Sequence, residues 1–195
     1  MGDMRMSKVL YIGWFGLPET AAGIRVFQIA KLLRELGNNV AFLCLSQPGL
    51  KENQEIQYDG FKYIRKRQFE SRVKNVVNIF CGVYDLKVIK EIIEIEKPDT
   101  VIVYNDKERL TSQIVSFCHK RGISVGADVT EWYEISRSRK WDRIVAKNVD
   151  YRIRKMDKKL DYIISISPYF TAYYKSIGCK NVIEIPPIMD CIETA

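Results

Sequence analysis

The stretch from Lys8 to Arg25 constrains the fold of this chain most. It opens as an apolar run, Lys8-Val-Leu-Tyr-Ile12, breaks at Gly13, passes Gly16, Pro18 and Gly23, and then takes up helical periodicity. A strand, a glycine-containing loop and a helix start, in that order, make the first unit of an open α/β sheet. Ligands bind such sheets at the carboxyl ends of the strands, beside loops of this kind.

The rest of the chain repeats the alternation. After a helical stripe of Val26, Ile29, Ala30, Leu33 and Leu36, Gly37 stops the helix. A second strand is predicted over 39–45, a polar loop over 50–59, and a strand nearer the sheet edge over 60–66. Residues 68–81 mix basic and apolar side chains without a period and read as a connection or short helix. Helices are predicted over 84–95 and 110–120, strands over 100–104 and 123–127, and a long helical region over 130–160 in one or two pieces. A strand over 162–166 precedes a helix opened by Ser167 as N-cap and Pro168 at its first position and closed by Gly178. A last strand covers 181–185. Strands and helices at this spacing predict a single α/β domain, Rossmann-like, with a doubly wound parallel sheet.

Composition excludes several classes. The 195 residues suffice for one medium domain with a proper core. No run approaches the ~18 apolar residues of a membrane span, and residues 1–7 lack the apolar region of a secretory signal and read as a leader or a disordered segment outside the fold. Five cysteines without a Cys-x-x-Cys pair point to free thiols and a reducing cytoplasm, with Cys44 and Cys118 in the core. A single histidine, His119, argues against a His-based metal site and a Ser-His-Asp triad, and reads as a surface or capping residue. The net charge of +7 is concentrated: ten basic residues against three acidic ones lie between Arg137 and Leu160. That face is expected to meet an anionic partner. A negatively charged membrane surface suits it better than nucleic acid, since no RNA- or DNA-reading motif accompanies the charge.

The carboxyl ends of the predicted strands bring Gly13 to Gly23, Ser46, Asn105, Asp106, Asp128 and Ser167 to one edge, with a crevice between the Gly13 loop and Asn105. The spacing Gly13-x-x-Gly16 followed by Gly23 is not a dinucleotide fingerprint, the loop is too long for one, and Ser46 stands where an acidic residue would hold a ribose. The loop's backbone N–H groups could instead receive a phosphate or a sugar hydroxyl; the alternative is that its glycines only turn the chain. Asp128-Val-Thr-Glu-Trp132 offers two carboxylates and an indole suited to a carbohydrate. Its alternative is a capping box, with Asp128 as N-cap and Glu131 reaching back.

Taken together, Lys8-Val-Leu-Tyr-Ile12 with Gly16, Ala22-Gly23 and the helix to Gly37 resemble the opening of GT-B glycosyltransferases of the family-4 type. Tyr162-Ile-Ile-Ser-Ile-Ser167, Tyr173-Tyr174, Gly178 and Val182-Ile-Glu-Ile-Pro-Pro-Ile-Met-Asp190 resemble that family's interdomain exit. The resemblance implies two facing Rossmann-like domains, the N-terminal one for the acceptor and the C-terminal one for a nucleotide-sugar. Residues 8–190 would be the former and 191–195 the start of a linker, with the donor domain absent and the chain inactive alone. The family usually shows two adjacent glycines where this chain has Ala22-Gly23. Asp128 occupies the place of a histidine that touches the transferred sugar.

The function expected is therefore the acceptor-binding half of a retaining, nucleotide-sugar-dependent glycosyltransferase for cell-surface polysaccharide or glycolipid synthesis. It would be cytoplasmic and peripheral on the inner face of the membrane, with a lipid-linked or glycan acceptor. Asp128 and Glu131 are the candidate catalytic residues. Gly13, Gly16, Gly23, Arg25, Asn105 and Trp132 are the candidate substrate-binding residues, and Arg137, Arg139, Lys140, Arg143 and Lys147 would face the membrane. No metal or cofactor is expected. The alternatives are a non-catalytic subunit pairing with a separate donor-domain chain, or a free-standing nucleotide-binding Rossmann-like domain.

Overall fold

A computed structural model describes residues 6–17, 20–47, 50–67, 71, 78, 82–133 and 140–188. Its strands are β1 (Lys8–Gly13), β2 (Asn39–Gln47), β3 (Gln54–Tyr58), β4 (Phe61–Arg67), β5 (Thr100–Tyr104), β6 (Ser124–Val129), β7 (Tyr162–Ser165) and β8 (Val182–Glu184). The helices are α1 (Ala21–Glu35), α2 (Val83–Glu96), α3 (Glu108–His119), α4 (Lys140–Tyr151) and α5 (Pro168–Ser176). They form an eight-stranded sheet in the order β3-β4-β2-β1-β5-β6-β7-β8. Every pairing is parallel except β3 with β4. This is the single Rossmann-like α/β domain expected. The strand order reverses at β1, which pairs β2 on one side and β5 on the other.

The alternation of side chains along each strand splits the core into two layers. Leu10, Ile12, Leu43, Leu45, Val101, Val103 and Val125 pack against α2 and α3. Tyr11, Phe42, Tyr63, Ile102 and Tyr104 point the other way, toward Val26, Ile29 and Ala30 of α1. Cys44 and Cys118 are buried thiols outside any disulfide, and His119 is an exposed partner of Asp161. Gly37 (φ +84°) ends α1, its N–H donating to the Arg34 carbonyl while that of Asn38 donates to Leu33. Ser167 accepts from the Phe170 N–H at the start of α5.

Two expectations change. Residues 50–59 are not all loop: Gln54 to Tyr58 form the edge strand β3, folded back on β4 through Asp59 (φ 47°) and Gly60 (φ +77°). Asp-Gly is a hairpin turn with both residues left-handed, and the polar side chains around it hide the strand because an edge strand is largely solvated. The helical region over 130–160 is also shorter. β6 runs on to Val129, residues 130–133 have no regular structure, and the helix described begins at Lys140. It continues from α4 into a π-helical turn over Arg152–Met156. Apart from 71 and 78, residues 68–81 lie outside the described residues, as do 1–5 and 189–195.

Candidate functional site

At the reversal, the ends of β1, β5 and β6 meet. Gly13 pairs with Tyr104, and a methyl group at Gly13 would lie 2.8 Å from the Tyr104 Cβ. The glycine there lets β5 lean on the end of β1. Phe15 turns inward, edge-on to Tyr11, Phe42 and Tyr104. Trp14 packs half-buried against the other layer, that of α2 and α3, with the Lys107 ammonium 4.4 Å from its ring. The loop then closes on the start of α1. Thr20 Oγ accepts from the N–H groups of Gly23 (2.9 Å) and Gly16 (3.3 Å), and donates to the Gly16 carbonyl (3.1 Å). A side chain at Gly23 would run into that carbonyl. In this arrangement the N–H groups of Gly16 and Gly23, two of those expected to greet a phosphate, are held by Thr20.

Asp128 and Arg25, both expected to face substrate, meet each other inside the fold. The Arg25 fork donates from Nη2 (2.8 Å) and Nε (3.0 Å) to Oδ1 of Asp128, and the Tyr11 hydroxyl donates to Oδ2 at 2.6 Å. Arg25 Nη1 donates to the Ile185 carbonyl, 2.9 Å away, tying the chain just after β8 to the same point. Asp128 is 0% exposed and Arg25 6%. Burial pushes the Asp128 carboxyl up against the pull of Arg25 and Tyr11. The capping reading of Asp128 is overturned: it sits within β6, whose alternation turns it toward α1. Glu131 is exposed and accepts from the Tyr133 hydroxyl.

Asn105 follows β5 with φ 42°, a left-handed backbone in a residue other than glycine. Such conformations cost energy and gather at functional sites. Its amide donates to Thr130 Oγ at 2.5 Å, and Tyr104 lies 3.2 Å from the same oxygen, clasping the ends of β5 and β6. Next to it, Asp106 is buried. Its Oδ1 accepts from the Lys107 N–H at 2.7 Å, while Oδ2 has no hydrogen-bond partner among the described residues. Burial raises its pKa to about 6 and lowers that of Lys107. Trp14 Nε1 and Arg152 Nη2 likewise lack partners among the described residues. Arg152 comes from the π-helical turn, donates from Nη1 to the Asp106 carbonyl (2.6 Å) and pairs with Asp157 at 3.6 Å.

Trp132 does not present a free indole face. It stacks on Phe170 at 6.2 Å, meets Tyr173 edge-on at 4.7 Å, and lies under Arg154. Its Nε1 donates to Asp150 at 2.9 Å. The packing follows from β6 ending beside α5. Arg143 and Lys147 are exposed on α4. Lys140 begins that helix, and Arg137 and Arg139 lie outside the described residues. Among the described residues no group of His, Cys, Asp or Glu could hold a metal ion, and no helix is long and apolar enough to cross a membrane.

The edge as built thus consists of Trp14, Asn105, Asp106, Lys107, Thr130 and Arg152, with Gly13 as its floor. Asn105 and Asp106 are where a strand end places them. Lys107 carried the same signal, being third after an apolar strand. Trp14 and Arg152 had none, since their positions depend on a loop path and on a helical irregularity.

Solved structures share this architecture. Sucrose-phosphate synthase from Thermosynechococcus elongatus matches with a TM-score of 0.64 at 13% identity, over 92% of this chain and 48% of its own. The fold is GT-B-like. LpCGTa in complex with UDP matches this GT-B-like chain with a TM-score of 0.58 at 12% identity, over 95% of this chain and 53% of that one. UDP-N-acetylglucosamine 2-epimerase from Rickettsia bellii gives 0.52 at 14% identity, over 93% and 45%. The chain thus spans about half the length of the structures it resembles. No protein-family model matches it, and no curated protein does.

Proposed function

We propose that this chain is the acceptor-side half of a retaining, family-4-type glycosyltransferase, working with a nucleotide-sugar domain supplied in the same or a separate chain. The observation that carries the reading is the edge at the β1–β5 reversal. A strained Asn105 and polar atoms of Trp14, Asp106 and Arg152 without partners among the described residues are collected there. Buried polar groups in native proteins are nearly always paired, so a hydroxyl-rich ligand that both donates and accepts is the complement of this set. In a two-domain GT-B arrangement that edge would face an opposed donor domain, and the GT-B-like fold supports this reading. With Asp128 engaged by Arg25, the carboxylate left to orient an acceptor hydroxyl is Asp106, whose Oδ2 lacks a partner among the described residues, and Asp128 serves as a positioning residue that holds Arg25 against the end of β6. Leaving-phosphate charge falls to the donor domain, assisted by preorganised dipoles of the loop and of α1. The basic face of α4 suits a cytoplasmic protein working on lipid-linked or cell-surface glycan acceptors at an anionic membrane.

A glycan array and calorimetric titrations with UDP-glucose, NAD and ATP test the reading. Weak glycan binding, lost in Asn105→Ala and Asp106→Ala, is expected. Tight NAD or ATP binding by this chain would instead make it a free-standing nucleotide-binding domain.

A further inference from the structure

α4 touches the crevice from within while exposing a charged face outward. On one flank, Asn148 Oδ1 accepts from the Glu108 N–H at 2.9 Å and so caps the first turn of α3. One turn later, Arg152 holds the Asp106 carbonyl. On the opposite flank, Asp150 holds the Trp132 indole. Ala146, Val149, Ile153 and Met156 fill the core between those flanks. The outer face carries exposed Arg143, Lys147 and Lys155 beside Ile144 (45% exposed) and Tyr151 (54%). Apolar side chains standing among cations complement an anionic bilayer: the cations meet headgroups while the apolar groups enter the interface.

We infer that α4 and the π-helical turn that continues it are one rigid element with two tasks, in which Asn148 and Arg152 are positioning residues for the crevice and the outer face docks on an anionic bilayer, so that docking tightens the start of α3 and the end of β5. The inference rests on the membrane reading proposed above. A docked helix frays less, and the groups it holds open less often. No new contact at the crevice is needed. The Glu108 N–H and the Asp106 carbonyl simply keep their partners for more of the time.

Amide hydrogen exchange tests this without knowledge of the substrate. The chain is compared alone, with vesicles of phosphatidylglycerol in phosphatidylcholine, and with vesicles of phosphatidylcholine only. Anionic vesicles should slow exchange in peptides from α4 and, with them, in peptides covering 105–112; neutral vesicles should do neither. In Asn148→Ala, exchange near Glu108 should be about fivefold faster without vesicles, as loss of one cap implies. Its α4 should still be protected by anionic vesicles, while 105–112 no longer respond. Asn148→Asp, which keeps an acceptor at the helix start, should restore the response. Protection of α4 with 105–112 unchanged would overturn the coupling and leave docking intact. No protection of α4 would overturn the docking itself. A wild-type response in Asn148→Ala would remove Asn148 from the role.

Discussion

Asp128 shows how a residue's chemistry depends on the direction in which it points. Its carboxylate accepts from the Arg25 fork and the Tyr11 hydroxyl within the α1 layer. Removing one member of a buried pair leaves an uncompensated charge, whereas removing both costs less. Arg25→Met should therefore destabilise the fold by about 3–5 kcal/mol in chemical denaturation. Arg25→Met combined with Asp128→Asn should recover part of that loss. At Asp106, too, burial outweighs the neighbours, and it raises the pKa to about 6. The folded carboxyl then keeps its proton at pH values where the unfolded one has lost it. Stability from this group is fully present below the unfolded value and falls as pH rises through about 6. Asp106→Asn should accordingly be more stable than the parent by up to about 3 kcal/mol at pH 8, converging with it near pH 4, in denaturation curves across pH. An unchanged difference across that range would contradict the assignment.

At the scale of elements, the helix ends divide into those a reader can find and those only packing reveals. Ser167-Pro168 and the glycines at Gly37 and Gly178 announce their caps by residue type, and each acts as expected. Thr20 caps α1 just as firmly, but its oxygen also holds Gly16, four residues back. That closure explains Gly23 as a site of close approach. Gly23→Ala should drive Cβ into the Gly16 carbonyl and cost about 1–3 kcal/mol, with faster amide exchange in the first turn of α1. The hairpin of β3 and β4 was carried by one dipeptide, Asp59-Gly60, amid polar residues. Its alternation is weak because an edge strand buries little on either face. The apolar central strands, buried on both faces, were readable within a residue or two.

For the whole molecule, the charge asymmetry is the property most open to experiment. The exposed cations of α4 sit on an otherwise nearly balanced protein. Co-sedimentation with anionic vesicles should weaken steeply between low and physiological salt, because exposed charges are screened over about 8–10 Å. Reversing Arg143 and Lys147 to glutamate should reduce the bound fraction about tenfold or more. Binding indifferent to both changes would mean that the face does not read charge.

Periodicity and apolar content alone determined that this chain builds a doubly wound sheet, that β1 adjoins the reversal, and that one edge gathers Gly13, Asn105, Asp106 and Asp128. Those are consequences of short-range patterns, which every window of sequence carries. Whether each polar residue on that edge faces a ligand or the interior was decided by tertiary structure. β6 extends past its apolar run to Val129, and a side-chain period of two turns Asp128 inward, where Arg25 and Tyr11 meet it from distant parts of the chain. The π-helical turn brings Arg152 to the Asp106 carbonyl in the same way. No local pattern encodes either meeting, because each partner is chosen by packing between elements far apart in sequence.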